Sequence, residues 1–363
     1  MADESGGHWA NLAAAQKLTQ SMKIPGVFEE DIKRNNPLDR VTVGQAAHSG
    51  LKIEWLREKP SAVSAIEAAV TEIDIGQQLS WTEDVDYEEK EMTLRRSYIQ
   101  RKLDHYLPGI YGSYTNYEAR VLLESEKGLK RKIGLRMIYA DNTYTSTKQF
   151  DGLHALAAEH GTPYTHGSTY DQKNIDNGGA GVGLSLHFLR VLADAMLHGI
   201  DELWSPFEII RRMDEAYQER GFASLMTSVA GGMSFITMGY NDLGKRILFW
   251  DGIPIIRTDY LVAEADGTGT GASADARGLY TTGTRAYSIF GIKRGNVLNQ
   301  EPGLTYAYGG TEGAGDLYKL VRFPELEDFD AGGLRLINYG ALLLGSSLCL
   351  GRIADIGDHA VVA

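Results

Sequence analysis

Residues 115–139, TNYEARVLLESEKGLKRKIGLRMIY, carry the clearest helical pattern in the chain. Thr115 and Glu118 stand three apart at its start, the spacing of a capping box in which hydroxyl and carboxylate satisfy exposed backbone amides. Val121, Leu122, Leu129, Ile133 and Met137 fall near one face, with acids early and Lys/Arg later, as the helix dipole favours. At about 1.5 Å per residue such a helix runs roughly 35 Å. It reads as a strut, with Gly128 and Gly134 marking where it bends or meets a close neighbour.

On the N-terminal side, two alternating stretches, LKIEWLRE (51–58) and MTLRRSYIQRKLDHYL (92–107), enclose a polar segment sparse in core residues. Glu83, Asp84, Asp86, Glu88, Glu89 and Glu91 crowd that segment with Lys90 as the one cation between them. A charged excursion that leaves the body and returns as a solvated hairpin is expected. Residues 1–45 look like an arm, interrupted at Pro25, Gly26 and Pro37, that needs another surface to lie on.

On the C-terminal side, ADNTYTSTKQFDGLHALAAEHG predicts a turn and a short helix, and THGSTYDQKNIDNGGAGVG a polar glycine-rich loop. Two helices are expected at Leu184–His198, closed by Gly199, and Pro206–Arg220, closed by Gly221. Strands and loops dominate thereafter. In ILFWDGIPIIRTDYL (247–261), two apolar runs flank Asp251-Gly252, which supplies the positive φ angles of a two-residue hairpin turn.

The 363 residues bury a real core, and 43% hydrophobic with 23% charged residues is ordinary globular composition. A net charge of −12 repels a phosphate backbone from the average surface, which argues against a sequence-specific DNA reader. The single cysteine, Cys349, excludes an intrachain disulfide and reads as a small core residue suited to a reducing compartment. The acidic N-terminus lacks the pattern of a signal peptide, and no run approaches the roughly 20 apolar residues of a membrane span, so a soluble protein is expected.

Motifs for chemistry fail on context. Gly239-Tyr240-Asn241-Asp242-Leu243-Gly244-Lys245-Arg246 fits a phosphate loop but lacks its Ser/Thr and leads into a strand, so it reads as a hairpin turn. Gly179, Gly181 and Gly183 miss the dinucleotide spacing, and no strand is expected before them. Ser234 lacks the closing glycine of a nucleophile elbow. His154, His160 and His166, six apart, point to different helix faces and are expected at the surface. No carboxylate pair stands out as an acid/base couple. What remains is architecture: an arm, a charged hairpin and a strut whose missing contacts neighbouring subunits would supply.

In their order these segments resemble the major capsid proteins of tailed double-stranded DNA phages with the Hong Kong 97 phage-type fold. GVFEEDIKRNNPLDRVTV is similar to the family's arm, the stretches 50–81 and 84–107 to the two sides of its extended loop, and 117–156 to its spine helix and the turn after it. LSLHFLRVLADAMLHGIDELWSPFEIIRRMDEAYQERG resembles the helix, strand and helix of the axial domain, GKRILFWDGIPIIRTDYL its hairpin, and LRLINYGALLLGSSLCLGRIADI its closing strands. The resemblance implies an α+β fold. Its parts would be an arm (1–45), an extended loop with adjoining peripheral strands (46–107), a spine helix and peripheral domain (108–180), an axial domain (181–325) and closing strands (326–363). It implies structural or assembly roles for Glu83, Asp84, Glu88, Glu89, Lys90, Glu91, Phe150, Asp151, Gly152, Asp251, Gly252 and Pro254, and no catalytic, cofactor or metal residue.

The function so implied is a shell of pentamers and hexamers around a phage genome, in the virion, assembled in the host cytoplasm. Its partners would be further copies of the chain, a separate scaffolding protein, a portal protein and a decoration protein, with double-stranded DNA enclosed but not read. Some members crosslink a lysine to a neighbour's asparagine, for which Lys90 and Asn338 are the candidates. An encapsulin-like nanocompartment shares the fold and is the alternative. A nucleotide-dependent enzyme, whose binding Lys245→Ala would abolish, is the remote one.

Overall fold

The structure, a computed structural model, describes residues 30–46, 52–58, 70, 72, 74–78, 87–105, 117–142, 148–158, 174–179, 181–226, 236–240, 246–265, 284–309, 316–327 and 331–362. Thr115, Glu83, Asp84, Asp86, Ser234, Lys245, His160 and His166 lie outside them. No helix among the described residues is long and apolar enough to cross a membrane.

The strut is present as α1 (Tyr117–Tyr139). Leu129, Ile133 and Met137 are buried on its inner face, whereas Leu123 on the other is 65% exposed. The helix lies on a five-stranded sheet centred on β14 (Ala331–Leu344). One edge of β14 pairs with β4 (Arg95–Asp104) over Ala331–Gly340. The other pairs in succession with β13 (Lys319–Phe323) and β12 (Leu304–Gly309), and β12 takes β1 (Thr42–Ala46) in parallel. Both β12 and β13 therefore join the sheet on which α1 lies.

A second sheet runs in the order β5 (Asn174–Gly179), β15 (Leu350–Ile356), β11 (Arg285–Ile292), β6 (Glu202–Ser205), β9 (Ile253–Arg257), β8 (Arg246–Trp250), β7 (Ile236–Tyr240), with β10 (Glu264–Ala265) beside β11. Helices α3 (Leu186–Ala195) and α4 (Phe207–Met226) accompany it. The core of this half gathers Leu189, Leu192, Ile209, Met213, Ile289 and Ile353. Phe290, Ile292 and Leu350 of the same strands instead join the core of α1 and the short α2 (Leu153–Ala158). The alternation of strand side chains thus makes β11 and β15 a wall shared by both cores.

Three expectations are corrected. A strand, β5, does precede the glycine-rich stretch, because parallel pairing to β15 holds polar Asn174–Gly179 extended despite its composition. Helix α3 ends at Ala195, before Gly199, which takes φ +85°. Helix α4 runs through Gly221 to Met226, since a glycine only weakens a helix that packing sustains. The 247–261 hairpin forms as expected: Asp251 and Gly252 take φ of +48° and +81°, and Trp250 faces Ile253 across the turn. Pro254 faces Phe249 and precedes the first residue of β9 that pairs with β6, so its missing N–H leaves no ladder bond unmade.

The arm, from Glu30 on, rests on its own chain. Asn36 Nδ2 donates to Lys130 O (3.1 Å) and Tyr260 Oη (3.2 Å), while its Oδ1 accepts from Leu38 N (3.0 Å). Gly134 makes room for it: a Cβ there would lie 2.2 Å from Asn36 Oδ1. Asp31 and Asp39 pair with Arg131 and Lys130 of α1, each at 2.6 Å. Replacing Gly134 with Ala is expected to lower stability by about 1–3 kcal/mol through overpacking, read as a lower urea midpoint, with new proteolytic sensitivity between residues 30 and 41. Gly128→Ala, with open space around it inside α1, is expected to raise stability by about 0.5–1 kcal/mol and to leave the proteolytic pattern unchanged.

Candidate assembly surfaces

Strands β2 (Lys52–Glu58) and β3 (Tyr87–Thr93) form a separate two-stranded ribbon in full register, Lys52 facing Thr93 and Glu58 facing Tyr87. From Tyr87 the acidic run is a strand with Tyr87, Glu89 and Glu91 exposed, as a solvated hairpin requires. One ribbon face turns Ile53 and Trp55 toward the main core. The other exposes Leu56 (70%) and Tyr87 (60%) among Glu54, Glu89 and Glu91. Glu88 bonds Lys90 (2.8 Å) and Arg57 (2.8 Å), and these two cations hold its carboxyl down to about 2. A two-stranded ribbon is marginal alone in water, so an exposed apolar strip on one points to an external partner.

Phe150, Asp151 and Gly152 lock α2 onto the end of α1. Phe150 is buried with its ring edge-on to Tyr306 (6.1 Å), Asp151 Oδ1 accepts from Asn142 N (2.8 Å), and Gly152 N donates to Ala140 O (2.8 Å). A Cβ at Gly152 would sit 2.7 Å from Arg136 O and 2.8 Å from Met137 O, so only glycine allows this approach. These residues are packing devices, as is the Asp251-Gly252 turn, and they lie apart from the ribbon that carries Glu88, Glu89, Lys90 and Glu91.

Asn338 is 1% exposed, accepts from Tyr306 Oη (2.6 Å) and donates to Leu317 O (2.7 Å). It is a core hydrogen-bonding residue here, out of reach of a neighbour's lysine in this conformation. The glycine-rich turn before α3 is likewise occupied. Val362 O accepts from Leu186 N (2.9 Å), Val362 N donates to Leu184 O (2.8 Å), and a Cβ at Gly183 would fall 1.9 Å from Ala360 O. The chain's own C-terminal stretch fills the space in which a nucleotide phosphate would have to sit. At the other candidate loop, the described residues on either side, β7 and β8, pair antiparallel, and the chain continues as a strand where a phosphate loop leads into a helix.

Among the described residues, a buried polar cluster gathers around Glu264 that the sequence did not announce. Glu264 of β10 is 1% exposed and accepts from Ser288 Oγ (2.7 Å) and Tyr139 Oη (3.3 Å), with Arg352 Nη2 at 2.9 Å and His154 Nε2 at 3.0 Å. The His154 ring stacks on Tyr139 (4.9 Å) and meets Phe290 edge-on (5.1 Å). His154 is therefore a core residue, not a surface one. The only advance signs were Arg352 and Asp355 within the otherwise apolar LGRIADI, since a charge in a fully buried strand requires a partner. Serine, carboxylate and histidine are catalytic types, yet here the carboxylate stands between the other two, so the imidazole cannot take the serine proton. No group of three or more His, Cys, Asp or Glu among the described residues could hold a metal ion.

Burial opposes ionisation of Glu264, but the charges of His154 and Arg352 and two hydrogen bonds outweigh it and hold the carboxyl at about 2. Burial, with Arg352 adding to it, pushes His154 below 6.5. Both folded pKa values lie below the unfolded ones, so the unfolded chain binds protons first and stability falls with pH. The loss is expected to begin below 6.5 for His154 and to continue from 4.5 toward 2 for Glu264. Glu264→Ala leaves Arg352 buried without its carboxylate and is expected to cost about 3–5 kcal/mol, and the further loss of stability below pH 4.5 is expected to be flatter in urea midpoints measured from pH 5 to 3.

Chain order, two cores with a shared sheet wall, a long helix on one sheet and a projecting ribbon together define the architecture, and solved structures repeat it. An encapsulin complex from Synechococcus elongatus aligns over 97% of both chains with a TM-score of 0.61 and 11% identity. This is the Hong Kong 97 phage-type fold. The capsid of a native GTA particle aligns over 95% of this chain and 98% of that one (TM-score 0.59, 11% identity), and that of the Myoviridae phage XM1 over 94% and 98% (0.56, 9%). No protein-family model and no curated sequence matches the chain. The neighbours with this fold are structural shell proteins.

Proposed function

We propose that this Hong Kong 97 phage-type chain is the major capsid protein of a tailed phage. It assembles as pentamers and hexamers into an icosahedral shell around double-stranded DNA. The observation that carries the shell reading is the ribbon β2–β3, which holds Leu56 and Tyr87 exposed on the face turned away from the one that packs on the core. Residues 30–46 act as the arm, α1 as the spine, the five-stranded sheet as the peripheral domain and the larger sheet with α3 and α4 as the axial domain. A separate scaffolding protein, a portal and a decoration protein complete the head, which is assembled in the host cytoplasm and resides in the virion.

The net charge of −12 suits a container that should not grip packed DNA. The encapsulin likeness supports a second reading, a nanocompartment that encloses protein. Negative-stain electron microscopy of the purified full chain, alone and with a co-expressed scaffolding candidate, is expected to show closed polyhedra or rings of five and six. Monomers or dimers in both samples would refute the shell. Particles from the native host separate the two readings: nuclease-protected double-stranded DNA is expected, and a protein cargo without DNA would replace the phage assignment with the nanocompartment.

A further inference from the structure

A cleft of about 910 Å³ opens between the arm, α4 and the strands β8 and β9. Along α4, Phe207, Ile210, Arg211 and Asp214 recur at the spacing of one helix face and line the cleft, while Ile209 and Met213 between them are buried in the core. The strands contribute Ile247, Leu248, Ile255 and Ile256, and the arm contributes Ile32 and Arg34. The arm is pinned beside them: Thr258 Oγ1 donates to Asn35 O (2.9 Å), and Arg34 N donates to Asp259 Oδ2 (2.9 Å).

Five arginines line this cleft, Arg34, Arg40, Arg211, Arg246 and Arg257, and among the described residues there no lysine joins them. In a chain of net charge −12 this is a local reversal of sign. Four of them are paired with carboxylates: Arg257 with Asp259 (2.7 Å), Arg211 with Asp358 (2.8 Å), Arg40 with Glu202 (3.5 Å), and Arg246 with Asp214, the one acid among the described lining residues. A guanidinium holds its N–H donors in a rigid fork, so one carboxylate orients it and leaves further donors to be used. Phe207, 44% exposed, lies under two of these forks, with Arg257 4.4 Å and Arg211 5.7 Å from its ring centre.

Guanidinium is weakly hydrated and pairs bidentately with carboxylates, so it binds them well beside isoleucine side chains, where a strongly hydrated ammonium is less suited. A nucleic-acid backbone would engage the arginines but gain nothing from the aliphatic lining or from Ile32, which is 65% exposed. An acidic amphipathic helix uses both, with its carboxylates on the guanidiniums and its apolar face on the isoleucines. We propose that this cleft binds such a helix from a second protein, with Arg34, Arg246 and Arg257 taking its carboxylates and Ile32, Phe207 and Ile210 its apolar side chains. The cleft is built within one copy, so the inference goes beyond the shell reading and does not rest on it.

Fluorescence anisotropy on the full-length chain tests it, with a labelled synthetic helix that carries leucine on one face and glutamate on the other. Saturable binding is expected, weakened by added salt because the ion pairs form in an open cleft. Arg34→Glu with Arg246→Gln should weaken it by about tenfold, and Ile32→Asp, at an exposed position, by about fivefold. Lys319→Glu, a charge reversal on the other sheet, should leave it unchanged. Peptides with lysine for glutamate or serine for leucine should not bind, and circular dichroism should show each variant folded. An unmodified chain without saturable binding would overturn the proposal, as would folded cleft variants that bind like it. A DNA duplex bound more tightly than the peptide, and lost in the same variants, would assign the cleft to nucleic acid and overturn it too. Loss of ring or shell assembly in Ile32→Asp with peptide affinity unchanged would give the cleft to a neighbouring copy instead. The shell reading stands apart from these results, since electron microscopy of the unmodified chain decides it.

Discussion

The buried carboxylate of Glu264 is the constraint on which the two halves of the molecule depend. It lies on the face of the larger sheet that looks toward α1 and α2, and it gathers a guanidinium from β15, a hydroxyl from β11, an imidazole from α2 and a phenol from the end of α1. A charge taken out of water is tolerated only when partners surround it. Satisfying Glu264 therefore fixes where the spine helix ends, where α2 sits and how the shared wall of β11 and β15 faces them.

Around that point the two cores divide the labour. The core under α1 is large and draws on β12, β14 and the arm, so that half forms a stiff plate. The core of α3 and α4 is built on one face of a long sheet whose far edge, β7, carries an exposed Tyr240 (76%). The arm resembles a strap, with Asn36 bridging α1 and Tyr260 through a notch that Gly134 leaves open. The ribbon joins the core under α1 by one face only, through Ile53, Trp55 and Met92, and leaves Leu56 and Tyr87 exposed on the other.

Much of this was legible in the residues. The apolar face and dipole pattern within 117–139 give the long helix, the spacing of Asp251-Gly252 between apolar runs gives a hairpin whose turn angles are as expected, and Cys349 is buried as its apolar setting implies. Strand β5 was not legible, because its polar, glycine-rich residues are held extended by a partner some 180 positions away in sequence. Nor was the position of His154: a histidine after a surface-like turn shows nothing of the glutamate that meets it from another part of the chain. Asn338 read as an available amide, and only the packing of Tyr306 shows that both its donor and acceptor are spent.

By itself, then, the sequence determined the local elements and their order, since helix caps, turn angles and alternation act over a few residues and leave their mark in residue type. The tertiary structure alone decided which charges are buried together, which sheet β12 and β13 join, and that the arm lies on its own helix. Those outcomes depend on contacts between distant segments, where the energy belongs to the pair and neither partner carries its sign alone.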